Sequence, residues 1–357
     1  MARSRSAGWR FSREQGAWVY VDADAVSQKP VALGQALRLA TLNCLHDHSQ
    51  ANHLQHEIRH GAICRELLSL DADVIGLNEV THSLLERLLG EEWVRNSYTT
   101  SVVPGDAHCS QATHSTATAP SLRAPTVRDG DFGNVLLSRI PPSSVEYINH
   151  PASRQSHVAM LSFCDPQDGT RPLNVAVCST HLTAFPWLME GRRKVQLEGL
   201  TGSLTENLQT ETDRVSIVMG DFNFHREAEN TSIPDGWAEV PSVVELGGTW
   251  DYGRNALLAH YLPLRNIYNG FGLGTQFAWP SPMRLDRLIV HGDVHRMNYG
   301  TAKARLFADQ PIHEPTRGRT PLPQTGPELR EAHRSLPWEE YLFPSDHFGI
   351  LVEFPLH

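Results

Sequence analysis

The sequence predicts an α/β layered domain, and three observations predict it. Short apolar, often β-branched runs recur along the chain, and each stops abruptly at polar residues, as buried strands do. Between them lie stretches with leucine and isoleucine at helical spacing, and strands alternating with such helices build layered domains. The two halves also follow one scheme: a strand ending in Asn or His, a helix, then a strand ending in a carboxylate. That symmetry hints at two similar sheets packed face to face, although no sequence repeat is detectable.

Taken in order, the strand-like runs are 37–42, ending at Asn43; 74–77, ending at Asn78 and Glu79; and 135–137, ending at Ser138 and Arg139. Then come 158–163, before Asp165; 173–177, ending at Thr180 and His181; and 215–219, ending at Gly220 and Asp221. The last two are 285–290, which carries Asp286, and 350–354, which follows Asp346 and His347. Leu54, Ile58, Ile63, Leu67 and Leu70 mark one amphipathic helix, and Leu197, Leu200, Leu204 and Leu208 another. Residues 1–35 read as a tail with at most a lone edge strand around Trp18 and Tyr20, which leaves 36–357 as the domain. Two insertions read as loops: 104–130, rich in Ser, Thr, Ala and Pro, and 308–337, with several prolines and mixed charge.

Composition narrows the function. With 357 residues, 40% of them hydrophobic, the chain can bury a large core. No run approaches the roughly 18 apolar residues of a membrane helix, so no membrane is expected as a partner. No apolar core follows the first charges, so no secretory signal is expected. Arg3, Arg5, Arg10 and Arg13 precede any acid, which reads as a disordered tail before it reads as an organelle transit segment. Five cysteines without a C-x-x-C pair suit reduced thiols in the cytoplasm or nucleus. The net charge of −9 argues against coating nucleic acid broadly, and leaves room for a local basic groove.

The strand ends carry the chemistry. In V-M-G-D-F-N, a strand delivers Asp221 and Asn223 together: the Asp can orient or deprotonate a water and the Asn can hydrogen-bond a phosphoryl oxygen. A bare G-D-x-N is equally a turn. In F-P-S-D-H-F-G, Asp346 and His347 precede a strand, and a charged imidazole there would offset charge on a phosphoryl transition state. Asp286, mid-strand, is either its carboxylate partner or the acid of a buried ion pair with Arg284 or Arg287. Glu79 is a natural hard-oxygen ligand for Mg²⁺, Asn43 can add an amide oxygen, and His181 can donate to phosphate. Each of these alone is also a cap, a turn residue or a core histidine. Together, acids, amides and imidazoles at five strand ends suit magnesium-assisted attack of water on phosphorus. Zinc spacing, a phosphate-binding G-x-x-x-x-G-K-[ST] loop and a G-x-S-x-G elbow are all missing from the sequence.

At these residues the chain resembles the endonuclease/exonuclease/phosphatase superfamily. The motifs fall in that family's order: TLN at 41–43, NE at 78–79, FGNVLLSR at 132–139, STHL at 179–182, GDFN at 220–223, RLDR at 284–287 and SDHFG at 345–349. The resemblance implies a four-layer α/β/β/α sandwich of two packed mixed sheets, with the site at one edge. Within the superfamily the chain looks most like the 5′-tyrosyl-DNA phosphodiesterase group. The signs are Gly248-Thr249-Trp250-Asp251, the F-P-S-D-H ending, and Arg193, Gln196 and Leu200 after STHL. It departs from that group at Leu42 (usually Trp), at Asn78 (usually Gln), and at Phe224-His225-Arg226 after the GD-x-N motif.

The resemblance implies roles. Glu79 with Asn43, and Asp346 nearby, would hold Mg²⁺, with Mn²⁺ as a substitute. Asp221 would align water with Asn223 supporting the phosphate. His181 and His347 would donate to non-bridging oxygens, and Asp286 or Asp346 would orient His347. Trp250, Arg254 and Arg284 would contact the substrate, a DNA 5′ end or single strand, and the enzyme would act as a monomer. The competing expectations are an RNA deadenylase, an abasic endonuclease, a lipid or sugar phosphatase, or a fold kept for binding with its activity lost.

Overall fold

The structure, a computed structural model, describes residues 6–22, 31–32, 36–46, 54–104, 126–127, 132–150, 155–164, 172–184, 189–206, 214–251, 253–260, 282–292, 297–313 and 342–356. The first part of the chain runs β1 (Ser6–Ser12), β2 (Ala17–Asp22), β3 (Val31–Ala32), β4 (Ala36–Asn43), α1 (His56–Leu70), β5 (Val74–Thr81), α2 (His82–Gly90) and α3 (Glu92–Ser97). There follow β6 (Thr99–Thr100), β7 (Val103–Pro104), β8 (Thr126–Val127), β9 (Phe132–Ser138), β10 (Ser144–Asn149), β11 (Gln155–Cys164) and β12 (Pro172–His181). The remainder is α4 (Glu190–Glu206), β13 (Arg214–Asp221), β14 (Ala238–Glu239), α5 (Pro241–Glu245), α6 (Leu257–His260), β15 (Asp286–Gly292), β16 (Lys303–Phe307) and β17 (Gly349–Pro355).

Two mixed sheets pack face to face. One has the order β14-β15-β13-β12-β11-β10, the other β6-β9-β5-β4-β17-β16. Each of these orders has one parallel pair, β12 with β13 and β4 with β5, among antiparallel neighbours, and the short β3 adds a parallel pairing along β11. The inner faces meet with β12 opposite β5 and β13 opposite β4.

Three apolar layers follow from the period-2 alternation of the strands. Leu37 and Leu39 of β4, Val175 and Val177 of β12, and Val215, Ile217 and Met219 of β13 fill the space between the sheets. The intervening Ala40 and Leu42 face out and pack under Ile63 and Leu67 of α1 and Leu84, Leu85 and Leu88 of α2. On the opposite side, Ala176, Cys178 and Val218 pack under Leu197, Leu200 and Leu204 of α4. Central strands buried on both faces explain why their sequences are unbroken apolar runs. This is the α/β/β/α sandwich. No helix among the described residues is long and apolar enough to cross a membrane.

The N-terminal boundary needs correction. Residues expected to be a tail form the β1–β2 hairpin, and β1 pairs with β10 through Ser6 and with β6 through Trp9 and Arg10. It thereby joins the two sheets along one side, with Trp9 buried and its ring 5.5 Å from Tyr20. Most of the insertion near 104–130, most of that near 308–337, and Leu208 lie outside the described residues.

Candidate active site

Strand parity aims the polar side chains. In β12, β13 and β15, the alternation that buries Val177, Met219 and Leu288 between the sheets carries on to His181, Asp221 and Asp286. These three form one register row: His181 is paired with Asp221, and Asp221 with Asp286. On the facing sheet the same alternation carries Leu37 and Leu39 to Asn43. Glu79 is different. Ile75 and Leu77 of β5 face the helices, so simple alternation would send Glu79 there too. The ladder with β9 slips between Leu77 and Val80, and Glu79 takes a φ of 56°. A bulge of this kind re-aims a side chain, and here it turns the carboxylate toward the site.

The groups then meet. Asn43 Nδ2 donates to Glu79 Oε1 at 3.2 Å and to Asp221 Oδ2 at 3.0 Å. His181 Nε2 lies 3.3 Å from Asp221 Oδ2 and 3.9 Å from Glu79 Oε1. His347 Nδ1 is 2.8 Å from Asp286 Oδ2. Asn223, at a φ of 52°, donates its backbone N–H to Asp221 Oδ1 at 2.8 Å and its side-chain amide to the Leu182 carbonyl at 3.1 Å. Asp346 is buried beside its neighbour Ser345, whose Oγ donates to the Asn43 carbonyl at 2.6 Å and lies 3.3 Å from Asp346 Oδ1.

Electrostatics divides the labour. Burial pushes the Asp221 carboxyl up to about 7, with the charge of His347 opposing the rise and that of Asp286 adding to it. Burial disfavours charge on His347 as well, but Asp286 and then Asp346 outweigh it and hold the imidazole well above its usual range. Glu79 is the reverse of Asp221. Burial raises it, yet hydrogen bonding to His46 and the charges of His46 and His181 hold it well below the usual carboxylate range. The site thus holds an ionised carboxylate, a carboxylate poised near neutrality and an imidazolium.

Several further residues hold this arrangement. His46 donates its backbone N–H to Glu79 Oε2 at 3.1 Å and sets its Nδ1 against the same oxygen. Asn78 accepts the Asp221 N–H at 3.0 Å and donates to Asn134 Oδ1 at 2.9 Å. Arg59, fully buried, donates to the carbonyls of Leu54, Cys44, Leu45 and Pro344. Thr249 accepts the Asp286 N–H through its hydroxyl and the Phe348 N–H through its carbonyl. His46 and Arg59 stand in no motif, and only their spatial partners identify them.

The Asn43 amide oxygen accepts the Leu45 N–H at 3.0 Å, while its nitrogen bridges Glu79 and Asp221. Two expectations are corrected. Trp250 is not an open stacking face: its ring is buried with Leu258, Met283 and Leu285. Arg284 is engaged with Glu239, which also takes Arg287 at 3.0 Å, so neither arginine pairs with Asp286. Arg254 keeps a solvent face, lying over the Phe348 ring at 4.7 Å and pairing with Asp309 at 2.9 Å.

The donor set fits a hard divalent cation. Among the described residues, no three His, Cys, Asp or Glu side chains group to hold a metal. Glu79, ionised and 15% exposed, is instead a single carboxylate that reaches solvent. Mg²⁺ is commonly held in that way, by one or two carboxylates, retained water and a substrate phosphate. Tetrahedral zinc needs at least three protein ligands.

A model of the Endonuclease/Exonuclease/phosphatase family matches residues 40–347. Among solved structures, truncated Caenorhabditis elegans TDP2 is similar at 17% identity and a TM-score of 0.56, over 90% of this chain and 97% of that one. D. rerio TDP2 complexed with single strand DNA product is similar at 18% identity and a TM-score of 0.53, over 90% and 99%. An endonuclease/exonuclease/phosphatase from Bacteroides vulgatus is similar at 14% identity and a TM-score of 0.51, over 91% and 100%. At such identities the likeness is one of fold. No curated protein matches in sequence.

Proposed function

Because the chain belongs to the endonuclease/exonuclease/phosphatase family, whose members are metal-dependent phosphoesterases and nucleases, we propose that it is a Mg²⁺-assisted phosphodiesterase acting on nucleic-acid ends, of the 5′-tyrosyl-DNA phosphodiesterase type. The observation that carries the chemistry is the register row His181–Asp221–Asp286, with His347 on Asp286 and Asn43 linking Asp221 to Glu79 on the facing sheet. The choice of substrate rests on the Thr249-Trp250-Asp251 and F-P-S-D-H motifs. The fold shared with TDP2, once solved with a single strand DNA product, supports it.

Asp221 takes a proton from the attacking water, because a base poised near 7 is well matched to neutral pH. His347, charged and with Nδ1 fixed by Asp286, donates through its other ring nitrogen to a non-bridging phosphate oxygen. His181 donates to a second oxygen, and Asn223 steadies Asp221. Glu79 would hold the cation with Asp346 close by, and when bound the cation offsets charge on the phosphoryl and leaving oxygens. Arg254, which lies over the ring of Phe348 next to His347 and keeps a solvent face, is the cation placed to meet the strand backbone.

A substrate panel tests the reading. The purified chain, with Mg²⁺ or Mn²⁺, is offered a 5′-phosphotyrosyl oligonucleotide, oligo(A), an abasic duplex, and small sugar and lipid phosphate esters, beside the Glu79→Gln variant. Selective cleavage of the phosphotyrosyl oligonucleotide, lost in the variant, is expected. Preference for another ester would reassign the substrate, and no metal-dependent hydrolysis of any would point to a binding module.

A further inference from the structure

Resting on the reading that Glu79 holds the catalytic cation, we propose that His46 is a second protein ligand of that cation and biases the site toward Mn²⁺ over Mg²⁺. Two backbone distortions converge on the contact between these residues. Leu45 and Glu79 both occupy the left-handed region, at φ 56° each. Non-glycine residues rarely adopt it, and it clusters at functional sites. The bend at Leu45 swings His46 back so that its N–H and its Nδ1 both meet Glu79 Oε2. The imidazole is held from outside by Phe132, stacked at 4.1 Å with 24° between the planes. A ring nitrogen and a carboxylate oxygen already in contact can share one cation, which then takes the place of the hydrogen between them.

Ligand chemistry sets the bias. Mg²⁺ takes oxygen donors, while imidazole nitrogen favours the transition metals, and affinity for mixed N/O sites rises from Mn²⁺ onward. His181 is the other imidazole near Glu79, at 3.9 Å from Oε1, so the two can be told apart only by substitution.

The experiment reads binding rather than turnover. Mn²⁺ is titrated into the full chain by electron paramagnetic resonance and displaced with Mg²⁺. Pulsed measurements on the bound ion detect nitrogen coupling. The variants are His46→Phe, which keeps the stack on Phe132, and His46→Gln, which keeps a donor toward Glu79. Wild type is expected to show imidazole nitrogen coupling, and both variants to lose it. The preference for Mn²⁺ over Mg²⁺ should fall about 10-fold or more, the scale of perturbed metal sites. Equal weakening of both cations would make His46 a positioning residue only and overturn the assignment, as would coupling that survives in both variants, which would then belong to His181. Glu79→Ala separates the two readings: if it binds Mn²⁺ as wild type does, the cation site itself is misplaced, whereas its loss beside unaffected His46 variants overturns the His46 assignment alone.

Discussion

Asn78 and Asp221, 143 residues apart and on opposite sheets, are joined directly: the Asn78 side-chain oxygen accepts the Asp221 backbone N–H at 3.0 Å. The other end of the amide donates to Asn134 Oδ1 at 2.9 Å. The junction is tight. Gly220, at φ 135°, leaves so little room that a Cβ would meet the Thr180 carbonyl oxygen at 2.0 Å and Asn78 Oδ1 at 3.0 Å. The bridge therefore sets the distance between the sheet that carries Glu79 and the one that carries Asp221.

Asn78→Ala removes the bridge and strands two buried partners. A stability loss of about 1–3 kcal/mol is expected from unsatisfied groups. Turnover should fall about 10²-fold if the sheets shift by ~1 Å. Thermal denaturation and steady-state kinetics check both, and an unchanged turnover would show that the sheets hold their spacing without Asn78.

How much of this was legible in the sequence depends on where each signal resides. Asn43, His181, Asp221 and Asp286 could be read because each extends a strand whose alternation is fixed by burial on both faces. The bulge at Glu79 has no composition cue, since it comes from pairing with β9. The β1–β2 hairpin was hidden because β2 is mostly half-exposed, which blurs its alternation. Trp250 and Arg284 looked like substrate contacts because their burial and ion pairing depend on residues remote in sequence. Glu239, the partner of Arg284, is 45 positions away. His46 is one of several closely spaced histidines in the sequence, and only the turn at Leu45 reveals its direction.

The His347–Asp286 pair makes an alkaline prediction. Asp286 is the leading cause that holds His347 charged well above its ordinary range, against burial. A raised folded pKa gives stability that is complete below the unfolded value, about 6.5, and is lost as pH rises through the folded value. Activity that needs the imidazolium declines over the same upper window. In Asp286→Asn the decline should begin nearer pH ~6.5, with turnover at neutral pH down about 10²- to 10⁴-fold. Full pH–rate profiles of both proteins decide this, and an unmoved alkaline limb would remove Asp286 from the mechanism.

Asp221 makes the opposite prediction. Its carboxyl is raised to about 7 by burial, from an unfolded value of about 3.9. The folded state therefore binds the extra proton across that window, and stability falls as pH climbs from about 4 to about 7. Asp221→Asn removes the buried charge. The melting temperature of the variant relative to wild type should therefore improve between pH 4 and pH 8, while turnover drops about 10²- to 10⁴-fold with the base gone. A melting difference that stays flat across this range would mean the carboxyl ionises as freely as in water. A site that is more stable without its base is one shaped for reaction at some expense of the fold.

Arg59 tests whether the two halves of the candidate active site are tied by the core beneath them. From α1 it reaches the Cys44 and Leu45 carbonyls just after Asn43, and the Pro344 carbonyl just before Asp346 and His347. Its Nε–H also serves Leu54. Each buried acceptor left unsatisfied costs about 1–3 kcal/mol, so four together are comparable with the whole stability of an ordinary domain, about 5–15 kcal/mol. Arg59→Ala should therefore fail to accumulate as folded protein. Arg59→Lys keeps the charge but concentrates its donors at one point, and cannot span carbonyls that the guanidinium reaches from several sides. It should fold with a lowered melting temperature and with turnover reduced out of proportion, because the segments carrying Asn43 and His347 lose their common anchor. An Arg59→Ala protein that melts like wild type would show that these segments are held from elsewhere.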